Sequence, residues 1–167
     1  MQITLLAATS LDGFIADDMG NGNFSSPQDK AHLRFFLRGP ECDCFICGRK
    51  TAEEFQDRLT YKPLLVLTRT PRLSEGNKIF FTGLDDLDRL LNQTGLSAPA
   101  LLGGAETYAL FLENKRVDRA ILTTENVRFY RGKSLDFPRF ASGFKQDGTK
   151  KLSEHTFISF YQKLPEP

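Results

Sequence analysis

The chain has 167 residues, which suits one well-formed core and is short for two. Its 40% apolar and 26% charged residues are ordinary for a globular protein and argue against disorder. With 22 Lys and Arg against 21 Asp and Glu, the net charge of +1 favours neither nucleic acid nor a membrane surface as a partner. No apolar run approaches the roughly 18–20 residues of a membrane helix. The start, MQITLLAATS, lacks the basic region of a signal peptide, so we expect a cytoplasmic protein.

Strand-like and helix-like segments alternate along the chain and predict a single α/β domain over 1–167 with a largely parallel sheet. The first half predicts a strand at 2–9, a polar loop at 12–25, a helix at 27–38, a strand at 43–47 and a helix at 49–59. The second half predicts strands at 64–68, 78–82 and 99–102, with helices at 84–93 and from 105 to about 112. Two long strands, 117–124 and 151–163, follow and are joined by a turn-rich segment around Gly132 and Pro138. We expect them to form an antiparallel edge.

Three cysteines, Cys42, Cys44 and Cys47, form a C-x-C-x-x-C cluster. A zinc site would need a fourth ligand, and His32 and His155 are the only histidines. Because side chains alternate faces along a strand, Cys44 and Cys47 would point to opposite sides of the DCFIC segment. We therefore favour buried free thiols over a structural metal site.

The segment Gly48-Arg49-Lys50-Thr51 stands where a predicted strand becomes a helix. The free amides at a helix N-terminus carry partial positive charge, so two cations there are unfavourable unless an anion lies between them. A phosphate would be held by the amides and the cationic side chains together. The alternative is that Arg49 and Lys50 are solvated surface charges.

Two further strand ends carry the same chemistry. Gly103-Gly104-Ala105-Glu106-Thr107 follows the buried strand at 99–102, and glycine lets a backbone approach a diphosphate closely. Thr68-Arg69-Thr70 ends the strand LLVLT. Ligands of open α/β sheets bind at the carboxyl ends of strands, so three such ends predict a polyphosphorylated nucleotide. No G-x-x-x-x-G-K-[ST] is present, which excludes a P-loop, and the glycines at 20–25 lie in a polar loop.

Asp29 is the candidate acidic group of a substrate pocket. With Leu33 at i+4 and Phe36 at i+7, its carboxylate projects along the buried stripe of the predicted helix. There it could donate a proton or anchor an amino-pyrimidine. Ser26-Pro27-Gln28-Asp29 also fits a helix cap with Asp29 at position N3, where a negative charge is stabilising. Both roles stay open.

Other candidates for substrate contact are weaker. Ser10 and Asp12 border the carboxyl end of the first strand, although Asp12 and Gly13 also fit a plain turn. His32 lies one turn beyond Asp29 and could face the same cleft, and Thr123 ends the segment ILT.

These segments resemble a known family over nearly the whole chain. FICGRKTAEEF, LVLTR and LLGGAETYALFL are similar to the nucleotide-binding segments of dihydrofolate reductases, and VDRAILT with LDFPRF to their C-terminal region. ATSLDGFIA, followed by SSPQDKAHLRFFLRGPECDCFICG, more closely resembles the reductase domain of riboflavin-biosynthesis deaminase/reductases, the RibD C-terminal type.

The resemblance implies a three-layer α/β/α dihydrofolate-reductase-like fold that uses NADPH and forms a homodimer. It implies that Arg49, Lys50 and Arg69 face the 2′-phosphate of the cofactor and that Thr51 faces the diphosphate. The segment from Gly103 to Thr107 would line the diphosphate and nicotinamide, with a cis peptide bond between the two glycines. The position of Asp29 matches the acidic residue of dihydrofolate reductases.

The substrate implied by the resemblance is a pyrimidine or pteridine. The chain has no Trp, whereas dihydrofolate reductases usually carry one before the acidic helix. This difference favours the 5-amino-6-(5-phosphoribosylamino)uracil reductase type over reduction of folate. The zinc motifs of the deaminase half are absent from this sequence. A dihydrofolate-type reductase and a non-catalytic NADPH-binding protein remain the alternatives.

Overall fold

The computed structural model describes residues 1–135 and 137–165. Its strands are β1 (Thr4–Thr9), β2 (Phe14–Ala16), β3 (Cys44–Gly48), β4 (Leu64–Leu67), β5 (Lys78–Phe81), β6 (Pro99–Leu101), β7 (Arg119–Glu125), β8 (Lys133–Ser134), β9 (Phe144–Lys151) and β10 (Thr156–Lys163). Its helices are α1 (Pro27–Arg38), α2 (Arg49–Phe55), α3 (Leu84–Thr94), α4 (Ala105–Glu113) and α5 (Phe137–Gly143), with a 3-10 helix at Gln56–Leu59.

Within the described residues, eight strands form one sheet in the order β5-β4-β3-β6-β1-β7-β10-β9. The first six in that order run parallel to one another. The sheet ends with β10 antiparallel to β7 and β9 antiparallel to β10. The predicted mixed sheet, parallel with antiparallel C-terminal strands, is confirmed.

Helices cover both faces of this sheet because its buried strands are apolar on both sides. Phe36 and Leu37 of α1 and Ala52 of α2 belong to the core on one face. Leu87 of α3 and Phe111 of α4 belong to the core on the other. This is the predicted α/β/α arrangement. No helix among the described residues is both long enough and apolar enough to cross a membrane.

The three cysteines are buried and divided between the two cores. Cys44 packs on the α3 and α4 face, whereas Cys42 and Cys47 pack on the α1 and α2 face, as the alternation along β3 predicted. Burial raises the pKa of the Cys47 thiol to about 12 and also raises that of Cys44. Both thiols are therefore protonated at neutral pH. The described part of the chain contains no group of three or more His, Cys, Asp or Glu arranged for a metal ion.

Three predicted segments differ in the structure. The loop at 12–25 contains β2, which pairs with β8. The helix predicted at 49–59 is interrupted at Gln56, whose φ of 50° lies outside the helical region, and continues as a 3-10 turn.

The turn-rich segment before the last strand contains α5 and β9, and the strand predicted at 151–163 begins at Thr156. The sequence of β9, FKQDGTKK, has no apolar alternation because almost all of this edge strand is exposed. Asp136, the acidic residue of the LDFPRF motif, lies outside the described residues.

Helix α1 has the predicted bounds and is fixed at both ends. Ser26 is its N-cap and Pro27 its first residue, where a missing N–H is tolerated. At the other end, the Lys62 Nζ donates hydrogen bonds to the carbonyls of Leu37 and Gly39, at 2.7 and 2.8 Å. These contacts orient the helix that carries Asp29.

Replacement of Leu87 tests the core between α3 and the sheet. Leu87 is fully buried, so Leu87→Ala should lower the free energy of unfolding by about 2–5 kcal/mol through lost burial and the cavity left behind. Leu73 is 91% exposed, and Leu73→Ala should change the free energy of unfolding by less than about 0.5 kcal/mol. Urea unfolding of both variants measures the difference, and equal losses would contradict this assignment of the core.

Candidate functional site

The predicted nucleotide segments lie at one edge of the sheet. Because β4, β3 and β6 are parallel neighbours, their carboxyl ends meet there. Gly48 is the last residue of β3, Thr68 follows β4 and Gly103 follows β6 after one further residue. We call this the ligand edge.

The start of α2 and the turn before α4 are in direct contact. The Gly48 N–H donates a 2.7 Å hydrogen bond to the Gly103 carbonyl. A Cβ on Gly48 would lie 2.8 Å from the Thr107 Oγ1, and a Cβ on Gly104 would lie 3.2 Å from the Thr51 Oγ1. Larger residues would therefore push the two segments apart. The peptide bond between Gly103 and Gly104 is cis, as the resemblance implied.

Both helices at this contact begin without a side-chain cap. Gly48 is the N-cap of α2 and Gly104 is the N-cap of α4, and neither supplies a side-chain acceptor. The first N–H groups of α4 therefore remain available to an anion at its positive end. The Thr51 hydroxyl lies beside Gly104, and the hydroxyl of Thr107, which is 3% exposed, lies beside Gly48.

The cations of the predicted site surround this contact, and two of them form ion pairs. The Arg69 guanidinium lies 3.4 Å from the Glu106 carboxylate and so links the end of β4 to the first turn of α4. Arg49 pairs with Glu53 at 2.6 Å along α2, and Lys50 beside it is exposed. Both side chains of the Arg69 pair are at least 90% exposed. Exposed pairs contribute only about 0–1 kcal/mol, so a phosphate could displace the carboxylates.

Asp29 lies on α1 and is 6% exposed. Its backbone N–H donates to the Ser26 Oγ at 3.1 Å, which is the predicted cap. Among the described residues, no donor forms a hydrogen bond with its carboxylate, and because no fully buried side-chain oxygen there lacks a partner, its oxygens still reach solvent. The carboxylate is therefore available to a ligand.

His32, one turn along α1, is half-buried and electrostatically coupled to Asp29. Burial lowers the pKa of His32, the Asp29 carboxylate opposes that shift and Lys150 of β9 adds to it. The possibility that His32 faces the same substrate region as Asp29 stays a prediction.

Strand β7 brings two buried polar residues under α1. Thr123, a predicted contact, is 3% exposed and lies opposite Ile158 of β10. Glu125, which the sequence analysis missed, is 4% exposed and accepts hydrogen bonds from the Ser26 N–H at 2.8 Å and the Thr156 hydroxyl at 2.9 Å. A Glu at the carboxyl end of an apolar strand was the available signal.

Asp12 joins the loop after β1 to the loop after β7. Its carboxylate accepts a 2.6 Å hydrogen bond from the Ser10 hydroxyl and others from the N–H groups of Phe129 and Tyr130. The hydrogen bond from Ser10 is the main reason why the pKa of Asp12 falls to about 2. These contacts give Ser10 and Asp12 a structural role beside the ligand edge, and direct contact with substrate stays a prediction.

No protein-family model and no curated protein matches the chain. Solved structures do. A protein from Shewanella sp. PV-4 that is named for riboflavin biosynthesis matches with a TM-score of 0.74 and 21% identity over 99% of this chain and 100% of that one.

A second solved structure that is similar to the chain is a diaminohydroxyphosphoribosylaminopyrimidine deaminase/5-amino-6-(5-phosphoribosylamino)uracil reductase from Thermotoga maritima. It matches with a TM-score of 0.74 and 15% identity over 98% of this chain. The match spans 56% of the Thermotoga protein. The chain therefore has the dihydrofolate-reductase-like fold of riboflavin-biosynthesis reductases.

The Asp12 contacts predict a pH dependence. A carboxyl group whose pKa is lowered on folding stabilises the protein above the ordinary value of 3.8, and the stabilisation is lost as the pH falls through about 2. Asp12→Asn should therefore have a lower urea midpoint than the wild type at pH 5, and the two midpoints should converge as the pH falls from about 4 to about 2. Asp147→Asn, at an exposed position of β9, is the control. A difference independent of pH would contradict the role of this carboxylate.

Proposed function

We propose that the protein is an NADPH-dependent reductase that transfers hydride to a pyrimidine- or pteridine-type substrate. The 5-amino-6-(5-phosphoribosylamino)uracil reductase reaction of riboflavin biosynthesis is the favoured one. The observation that carries the proposal is the contact between the Gly48 and Gly103 segments, which brings two uncapped helix N-termini and the nearby cations to one edge. Strand ends that bring helix N-termini and exposed cations together suit a dinucleotide.

The cofactor would be held by this chain's strand ends. Arg49, Lys50 and Arg69 would bind its 2′-phosphate, because guanidinium groups match phosphate oxygens in geometry and charge. Thr51, Thr107 and the first amides of α4 would bind the diphosphate. When bound, NADPH supplies the hydride.

The chain's remaining task is to orient a heterocycle and exclude water. Asp29 lies on α1, whose Phe36 and Leu37 share a hydrophobic core with residues of β7 and β10. Its carboxylate can accept hydrogen bonds from ring N–H or amino groups and, when protonated, can give a proton to the ring. Thr123 lies on the strand beneath and is a further candidate contact.

The names of the two similar structures support a substrate from riboflavin biosynthesis, and the absence of Trp argues against folate. The Thermotoga protein is named for a deaminase and a reductase, and this chain spans about half of it. Its reductase activity is thus the part that can be proposed here. A dihydrofolate-type reductase is the second candidate, supported by the acidic residue on α1, and a non-catalytic NADPH-binding protein is the third.

The direct experiment follows NADPH absorbance with the deaminated riboflavin precursor and, separately, with dihydrofolate. Oxidation with the precursor alone supports the proposed reaction, and oxidation with dihydrofolate alone supports the second candidate. Tight NADPH binding without oxidation of either would favour the non-catalytic protein. Absence of NADPH binding would contradict the cofactor site.

Arg69→Ala tests the assignment of the 2′-phosphate. Loss of a charged hydrogen bond to the phosphate should weaken NADPH binding by roughly 10- to 100-fold and leave NADH binding nearly unchanged. Titration calorimetry measures both dissociation constants. Arg89→Ala, at an exposed position of α3, is the matched control. Equal losses for the two cofactors would remove Arg69 from the 2′-phosphate site.

Asp29→Asn tests the substrate side. If Asp29 donates or positions a proton, this change should lower kcat by roughly 100-fold or more while NADPH affinity stays the same. Steady-state rates and NADPH titrations measure the two effects. Unchanged turnover would remove Asp29 from the proposed reaction.

A further inference from the structure

The N-terminus of α1 has the two hydrogen bonds of a capping box, but they come from different parts of the chain. In such a box the N-cap hydroxyl accepts the N3 N–H, and the N3 side chain accepts the N-cap N–H. The first bond is present, from the Asp29 N–H to the Ser26 Oγ at 3.1 Å. The second is made by Glu125, whose Oε1 accepts the Ser26 N–H at 2.8 Å from the end of β7.

Asp29 is at position N3 and could form that second bond from its own helix. It does not, since Glu125 occupies the Ser26 N–H and no other donor of the described residues bonds to the Asp29 carboxylate. Yet Asp29 is 94% buried, at 6% relative exposure. No side-chain oxygen among the described residues is both fully buried and without a hydrogen-bond partner, so the unpartnered Asp29 oxygens still reach solvent. A carboxylate that is left out of the cap and keeps this small opening can receive a ligand.

Glu125 is well suited to take over the cap. Its second oxygen, Oε2, accepts the Thr156 hydroxyl at 2.9 Å, and that hydroxyl also lies 3.3 Å from the Ser26 Oγ. Both oxygens of this 4% exposed side chain thus have partners, and its negative charge lies at the positive end of α1. The cap is therefore anchored in β7 and β10 and not in the helix itself.

We propose that Glu125 is a positioning residue that completes the α1 cap in place of Asp29 and so keeps the Asp29 carboxylate free for the substrate. The catalytic part of this inference rests on the proposed function, whereas the capping part does not. Without an acceptor at position 125, the Asp29 carboxylate turns back to the Ser26 N–H and is withdrawn from the cleft.

A stability comparison tests the capping part without any substrate. Glu125→Met keeps the side-chain size and removes both oxygens, whereas the matched variant Glu125→Gln keeps one acceptor for the Ser26 N–H. Adding Asp29→Ala should lower the urea midpoint more in the Glu125→Met variant than in the Glu125→Gln variant. Only in the Glu125→Met variant would the Asp29 carboxylate cap the helix. Equal shifts in the two backgrounds overturn the proposal.

If Glu125→Met fails to fold, amide hydrogen exchange tests the capping part in proteins that retain Glu125. Protection of the Ser26 N–H should be the same in the wild type and in Asp29→Ala, since Glu125 holds that group. Protection lost in Asp29→Ala would mean that Asp29 is the cap and would overturn the proposal.

Turnover tests the catalytic part. Glu125→Met should lower kcat by roughly 10- to 100-fold, with NADPH affinity unchanged and near-normal turnover in Glu125→Gln. In an Asp29→Asn background, Glu125→Met should cause no further loss, whereas a merely structural role would give additive losses. Additive losses overturn the positioning role. If Asp29→Asn leaves turnover unchanged, the proposed role of Asp29 fails, and the midpoint comparison still decides the capping part.

Discussion

The hydrogen bond from the Gly48 N–H to the Gly103 carbonyl joins the ends of two parallel strands and sets the geometry of the ligand edge. It holds α2 and α4 so close that a methyl group on Gly48 would collide with the Thr107 hydroxyl. A larger residue at Gly48 would displace the Thr107 side chain, and the closeness places the starts of the two helices side by side. The positions of Thr51 and Arg69 relative to the glycine pair depend on this contact.

On the β1 and β7 side of the sheet, two carboxylates join separate segments, and the Leu11 N–H also donates a backbone hydrogen bond to the Val127 carbonyl. Glu125 ties the start of α1 to β7 and β10, and Asp12 ties the loop after β1 to the loop after β7. Each of these two carboxylates accepts hydrogen bonds from backbone N–H groups that would otherwise lack a partner. Asp29 is the exception among these acids, because its carboxylate has no such task in the fold.

The loops on this side are also joined by tight packing. Strand β2 pairs with β8, the Phe24 and Phe129 rings meet edge to face at 5.0 Å, and a Cβ on Gly132 would collide with the Ala16 carbonyl. These contacts hold together two segments that are more than 100 residues apart in sequence.

The sequence by itself determined the α/β class, most strands and helices, and the segments that meet at the ligand edge. This was possible because the signals are local. Buried strands are continuous apolar runs, helices have a short apolar period, and a glycine pair or a cation pair at a strand end can be recognised from the residues around it. The same locality explains the errors. Strand β9 carries almost no apolar pattern, since it is an exposed edge, and the break at Gln56 is a backbone conformation with no compositional signal.

Only the tertiary structure showed which side chain completes the cap of α1. From the sequence, Ser26-Pro27-Gln28-Asp29 fitted a cap and a substrate acid equally well, because both roles require a carboxylate at that position. The deciding partner, Glu125, is 99 residues away from Ser26 and meets it only because β7 ends beside the start of α1. A hydrogen bond between residues so far apart in sequence produces no periodic or spaced pattern of residues. It can therefore be found only in the folded structure, where the strands are paired.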